Sequence, residues 1–138
     1  MRKVLFVCHG NICRSVMAEY ILKSKTKDIY CESRATSNEE IGNDIYPQAK
    51  RCLDRHNIKY DKHSATKITK NDYDNFDEIY VMDSYNMSNI LRIIDDKDHK
   101  IKMLGSFDIE DPWYTNNFDK VFDQINEGIE NILKNESF

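Results

Sequence analysis

Apolar and polar residues alternate along this chain in two rhythms, one of strands and one of helices. Behind Lys3, residues 3–7 form a short apolar run, Val4-Leu5-Phe6-Val7, which reads as a strand buried on both faces. Residues 15–25 place Val16, Met17, Tyr20 and Ile21 on one helical face. Residues 29–33 read as a second strand, and Gly42-Asn43-Asp44 as a loop. Pro47 suits the first position of a helix on which Ala49, Cys52, Leu53 and His56 recur at helical spacing. Thr69-Lys70-Asn71-Asp72 has the form of a capping box opening a short helical turn. Residues 77–82 read as a third strand, and Met87, Ile90, Leu91 and Ile94 then predict a helix. A charged turn, Asp95-Asp96-Lys97-Asp98, leads to a fourth strand over residues 100–104. Residues 105–117 have no period and contain Pro112, so they read as a loop. Phe118, Val121, Phe122, Ile125, Ile129, Ile132 and Leu133 mark a long C-terminal helix, the strongest amphipathic pattern in the chain.

Strand–helix alternation predicts an α/β fold, a single domain over residues 1–138 with right-handed βαβ units and helices on both faces of a mainly parallel sheet. In such sheets ligands sit at the carboxyl ends of strands. Here the segment in that place is Cys8-His9-Gly10-Asn11-Ile12-Cys13-Arg14.

Composition narrows the partners. No apolar stretch approaches the ~20 residues that span a bilayer, so no membrane partner is expected. The basic start and apolar run end at Cys8-His9-Gly10-Asn11 without a small-residue cleavage site, so the run is read as a buried strand and the location as cytoplasmic. Twenty basic against 24 acidic residues give a net charge of −4 with Lys and Arg scattered, which argues against nucleic acid. Cys8, Cys13, Cys31 and Cys52 include no C-x-x-C pair, against a zinc ribbon, and the chain is long enough to fold without a disulfide scaffold.

Between a strand and a helix, C-x5-R-S carries its own chemistry. Backbone N–H groups of a tight loop opening a helix form an anion-binding nest. Arg14 supplies a planar fork for two phosphate oxygens. Gly10 permits a bend that a side chain would obstruct. Cys8, at the base of this positive concavity, is favoured as a thiolate and is placed to attack a bound phosphoryl group. Ser15 is placed to donate to the sulfur, and Asn11 to hold the loop. The Lys of a nucleotide-binding G-x4-G-K-[ST] loop is missing. Read alone, C-x5-R recurs by chance, and Asp111 before Pro112 is an ordinary turn signal.

Val7-Cys8-His9-Gly10-Asn11-Ile12-Cys13-Arg14-Ser15 with Met17-Ala18-Glu19 resembles the signature of the low-molecular-weight protein tyrosine phosphatases. The resemblance extends through Thr36-Ser37, Glu40-Ile41-Gly42-Asn43, His63-x-Ala65, Ile68-Thr69, Met82-Asp83 and Asp111-Pro112-Trp113-Tyr114. It implies a three-layer fold with a four-stranded parallel sheet, a phosphate-binding loop after the first strand, and no metal or other cofactor. It assigns Cys8 as nucleophile, Arg14 as phosphate clamp and Asp111 as general acid and base, with His9, Gly10, Asn11, Ile12, Cys13 and Ser15 in the phosphate-binding loop. By the same resemblance Ser33 and His63 join Asn11 and Ser15 in supporting that loop, and Asp83 braces it. Trp113 and Tyr114 form an aromatic wall for the substrate ring, and Cys13 is a redox partner of Cys8. The expected substrate is a phosphotyrosine-containing protein, with inorganic phosphate as product and inhibitor, and the chain is expected as a monomer or weak dimer.

The chain departs from several relatives at Asn38-Glu39, where an aromatic residue would stand at the pocket mouth. Two rival enzymes share the fold. An arsenate reductase needs further cysteines after the third strand, where residues 82–94 have none. A phosphoarginine phosphatase is expected to carry Thr where this chain has the apolar Ile12. A phosphate-binding module without turnover is the rival outside enzymes, against which Cys8 and Asp111 both speak.

Overall fold

The computed structural model describes residues 1–135. In chain order the elements are β1 (Arg2–Cys8), α1 (Arg14–Lys25), β2 (Ile29–Ala35), α2 (Pro47–Arg55) and α3 (Lys70–Asn75). They continue with β3 (Glu78–Val81), α4 (Ser84–Ile93), β4 (Ile101–Met103), α5 (Pro112–Thr115) and α6 (Phe118–Lys134).

The apolar run of β1 is the spine of the sheet. β1 pairs in parallel with β2 on one side and β3 on the other, and β4 extends the sheet beyond β3 to give the order β2-β1-β3-β4. Because successive side chains alternate between faces, one run feeds two cores. Val4, Phe6 and Cys8 join the core of α1, α2 and α6, while Leu5 and Val7 join Tyr73, Phe76, Ile90 and Ile94 from the segments of α3 and α4. A run that must be apolar on both sides cannot alternate, which is why it reads as continuous. The result is the three-layer parallel fold with four strands.

The helices differ from expectation in two places. α1 is buried from Arg14 through Leu22 on every side, because β1, β2 and α6 enclose it; its one-faced pattern understates that burial. Residues 105–117, read as loop, contain α5, a single turn with Pro112 at its start and Asp111 as its N-cap. Four residues are too few to leave a helical period. Thr69 and Asp72 do form the reciprocal capping box at the start of α3. α6 lies close to the sheet at Gly128, where an added Cβ would sit 2.6 Å from Leu104 Cγ and 2.8 Å from its carbonyl oxygen. Among the described residues no helix is long and apolar enough to cross a membrane.

Candidate active site

β1 delivers Cys8 to the carboxyl edge of the sheet, and α1 starts at Arg14, so the chain between them must turn within one tight loop. The loop's carbonyls are bound from outside. Thr36 N–H donates to Cys8 O at 2.9 Å, Ser37 N–H and Oγ to His9 O at 3.1 and 2.9 Å, and Tyr46 N–H to Ile12 O at 2.9 Å. His63 Nε2 donates to Asn11 O at 2.7 Å, which fixes its proton on that nitrogen. A planar trans peptide points its C=O and N–H in opposite directions. Four outward carbonyls therefore turn the N–H groups of His9, Gly10, Ile12 and Cys13 toward the concave side. α1 adds to them, since no side chain caps its first turn and its leading N–H groups stay open.

Asn11 locks this shape. It is fully buried and takes φ 61°, the left-handed region that Asn tolerates better than most residues. Its Nδ2 donates to Ser15 Oγ at 2.8 Å and its Oδ1 accepts from Thr66 N–H at 3.2 Å. The strained bend therefore falls at Asn11 and not, as the sequence suggested, at Gly10. Gly10 answers a different demand, a close approach in which an added Cβ would lie 3.3 Å from Glu40 Cγ.

Cys8 Sγ lies at the floor of the loop, 3.0 Å from Ser15 Oγ and accepting from Asn11 N–H at 3.3 Å. Since Ser15 Oγ already accepts from Asn11 Nδ2, its own proton is free to point at the sulfur. The other cysteines are held as thiols. Burial pushes Cys31 up to about 12 and Cys52 up to about 11. Burial also raises Cys13, and the negative charges of Cys8 and Asp111 add to the effect.

Arg14 is almost completely buried at the rim. Its Nη1 donates to Asp83 Oδ2 at 2.7 Å and to the Ile109 carbonyl at 2.8 Å, and its Nη2 lies 3.6 Å from Asp111 Oδ2. Burial acts to lower its pKa, but Cys8, Asp83 and Asp111 together hold that pKa above the usual value. Asp83 has two tasks, because its Oδ1 also caps α4 by accepting Asn86 N–H at 2.7 Å. Asp111 is similarly divided: Oδ1 caps α5 through Trp113 N–H at 3.0 Å, leaving Oδ2 toward Arg14. A one-turn helix thus aims a carboxylate at the loop.

The cleft above Cys8 is walled by Trp113, Tyr114, Glu39 and Glu40. Trp113 is half exposed and Tyr114 83% exposed, with the Trp113 ring 4.7 Å from that of Tyr46. Glu39 reaches back to the loop, accepting from His9 Nε2 at 2.9 Å.

Ser33 does not join this set. It sits on β2 opposite Phe6, and its hydroxyl donates to Glu19 Oε1 of α1 at 2.6 Å, away from the loop's supports. Thr36, Ser37 and Tyr46 take the supporting places instead; Thr36 and Tyr46 do so with backbone N–H groups that any non-proline residue offers, and Ser37 adds its hydroxyl to its N–H. The Ile109 carbonyl that holds Arg14 escaped the sequence reading because it too is a main-chain group. Around Cys8 the groups on offer are amides, hydroxyls and a guanidinium, a donor set suited to an oxyanion rather than to a metal cation.

Fold and site together define a parallel α/β protein that can hold an oxyanion against a cysteine sulfur at the end of its first strand. The sequence profile of the family described as low molecular weight phosphotyrosine protein phosphatase matches residues 3–137. A low molecular weight phosphotyrosine protein phosphatase of Gallus gallus is 37% identical, the alignment covering 90% of this chain and 89% of that one. The low molecular weight protein-tyrosine-phosphatase PtpA of Staphylococcus aureus (strain Newman) is 35% identical over 96% of this chain and 92% of its own. The crystal structure of a low molecular weight protein tyrosine phosphatase from Streptococcus pyogenes superposes with a TM-score of 0.93 at 38% identity, covering 100% of this chain and 95% of that one. The chain belongs to the low molecular weight phosphotyrosine protein phosphatase family, and with it to the phosphoric monoester hydrolases.

Proposed function

We propose that this chain hydrolyses phosphotyrosine in proteins through a phosphocysteine intermediate on Cys8. The observation that carries this reading is the set of outward-bound carbonyls around Cys8, which leaves inward amides and the Arg14 guanidinium for the phosphoryl oxygens. The three relatives described above are each named as tyrosine phosphatases, which supports the substrate class.

In the first step Cys8 Sγ attacks phosphorus, the S–P bond forms, and the P–O bond to the tyrosine oxygen breaks. The loop amides and Arg14 stabilise the charge on the equatorial oxygens. Asp111, in its acid form, gives its proton to the departing phenolate oxygen. In the second step Asp111 as carboxylate takes a proton from water, whose oxygen attacks phosphorus. The S–P bond breaks, inorganic phosphate leaves, and the sulfur returns as a thiolate held by Ser15 and Asn11 N–H. Trp113 and Tyr114 offer flat surfaces for a phenyl ring, and the apolar Ile12 suits the same ring. Arsenate reduction is not supported, since α4 and the strand end before it contain no cysteine.

Phosphate release from peptides carrying phosphotyrosine, phosphoserine or phosphoarginine tests the assignment. Phosphotyrosine is expected to be turned over much the fastest, and activity is expected to vanish in Cys8→Ser. Preference for phosphoarginine, or full activity in Cys8→Ser, contradicts it.

A further inference from the structure

We propose that Cys52, His56 and Asp119 form a binding site for a zinc-type divalent cation, separate from the phosphatase cleft, where the end of α2 meets the start of α6. Burial of Cys52 against α6 explains why the residue is apolar in character, but not what converges on its sulfur. Cys52 and His56 stand one helical turn apart and therefore share a face. Asp119, in the first turn of α6, reaches both: its Oδ1 lies 3.7 Å from Cys52 Sγ and 3.2 Å from His56 Nε2. All three ligand atoms lie within 4.8 Å of one another.

These separations match those a zinc ion imposes. With Zn–S of about 2.3 Å and Zn–N or Zn–O of about 2.0–2.1 Å, a tetrahedral site spaces sulfur and oxygen by about 3.6 Å and nitrogen and oxygen by about 3.3 Å. Two edges of the tetrahedron are thus nearly in place without the metal. The donor set of thiolate, imidazole and carboxylate is the one that borderline-soft cations select, and it leaves a fourth position for water. The His56 ring is fixed for the task, stacked on Phe122 with centroids 3.7 Å apart and planes 7° from parallel. Asp123, one turn beyond Asp119, adds negative charge at the sulfur and favours a cation there.

Binding replaces the Cys52 S–H contact with an S–metal bond, and the thiol proton goes to solvent. His56 binds as neutral imidazole through Nε2. Arg55, whose Nη2 now lies 2.9 Å from Asp119 Oδ1, must turn away; its side chain is 51% exposed and free to do so. The cation would tie α2 to α6 and leave the chemistry at Cys8 metal-free.

The test uses the full chain carrying Cys8→Ser, so that the active-site sulfur cannot contribute. Titration with Co2+ is expected to give one equivalent bound, with thiolate-to-cobalt charge-transfer absorption in the near ultraviolet, and Zn2+ is expected to displace it. Adding Cys52→Ser is expected to abolish that absorption. His56→Ala and Asp119→Asn change a partly exposed and an exposed side chain and keep the test decisive if Cys52→Ser does not fold; each is expected to weaken Zn2+ binding tenfold or more. No charge-transfer absorption in Cys8→Ser, absorption that survives Cys52→Ser, or unchanged Zn2+ affinity in both His56→Ala and Asp119→Asn overturns the proposal.

Discussion

Replacing Asn11 by Ala removes the side chain that ties the loop to Ser15 and Thr66. The Asn11 Nδ2 to Ser15 Oγ bond is buried, and losing it costs about 1–2 kcal/mol because Ser15 is left short of a partner. Thr66 N–H, near the surface, can turn to water, so the second bond is worth about 0.5–1 kcal/mol. Ala at φ 61° adds about 1 kcal/mol of backbone strain that Asn bears more easily. The total is about 3 kcal/mol of unfolding stability, measurable by urea denaturation. Asn11→Gly loses the same bonds without the strain, so it is expected to be about 1 kcal/mol more stable than Asn11→Ala. Both variants free Ser15 to rotate away from Cys8. A hydrogen bond to a charged group is worth about 1.5–3 kcal/mol, so turnover of an aryl phosphate is expected to fall about 10- to 100-fold in both. If Asn11→Ala stays within about 0.5 kcal/mol of the parent and keeps its turnover, the role given to Asn11 is refuted.

Asp111→Asn is expected to lower kcat about 10²–10⁴-fold for phosphotyrosine and much less for an aryl phosphate with an acidic leaving group; equal losses on both substrates argue against proton donation. Asp83→Ala is expected to lose about 1 kcal/mol of stability with the α4 cap and also to weaken phosphate inhibition, whereas Asp83→Asn keeps the cap and shows mainly the second effect; unchanged phosphate affinity in both removes Asp83 from the support of Arg14. Asp44 has its carboxyl pulled down to about 2 by Lys50 and by the N–H groups of Ile45 and His63, so its contribution is present above about pH 4 and lost as the pH falls toward 2. Asp44→Asn is therefore expected to flatten the acid limb of thermal stability over that window, and an unaltered limb rejects the assignment. Mild peroxide is expected to join Cys8 to Cys13, seen by peptide mass spectrometry, and Cys13→Ser is expected to regain less activity on reduction; recovery equal to the parent's rejects the redox role.

How much of this was legible in the sequence depends on whether a residue's side chain or only its backbone is used. The sheet, its order of elements and the C-terminal helix follow from periodicity, because a strand buried on two faces and a helix buried on one leave different patterns. The loop was legible because Cys8, Asn11, Arg14 and Ser15 act through side chains that few other residues could replace. Asp111 was placed by resemblance, since α5 is too short to announce itself. The outer supports were not legible: Thr36, Tyr46 and Ile109 act through main-chain groups, and position in space, not residue type, selects them. Ser33 shows the reverse case, a polar residue on the expected strand whose side chain turns to Glu19 instead. Gly10 was read as the bend, whereas Asn11 takes the left-handed φ and Gly10 lies close against the Glu40 side chain.

During turnover Cys8 is expected to form a covalent bond to phosphorus. Rapid acid quenching of the enzyme in the steady state with an aryl phosphate, followed by peptide mass spectrometry, tests it most directly. One phosphoryl group on the peptide bearing Cys8 is expected, in greater amount in Asp111→Asn, where the water that cleaves the intermediate lacks its base. Turnover at full rate with no phosphoryl group on Cys8 in either protein, or with the group on another residue, contradicts the account.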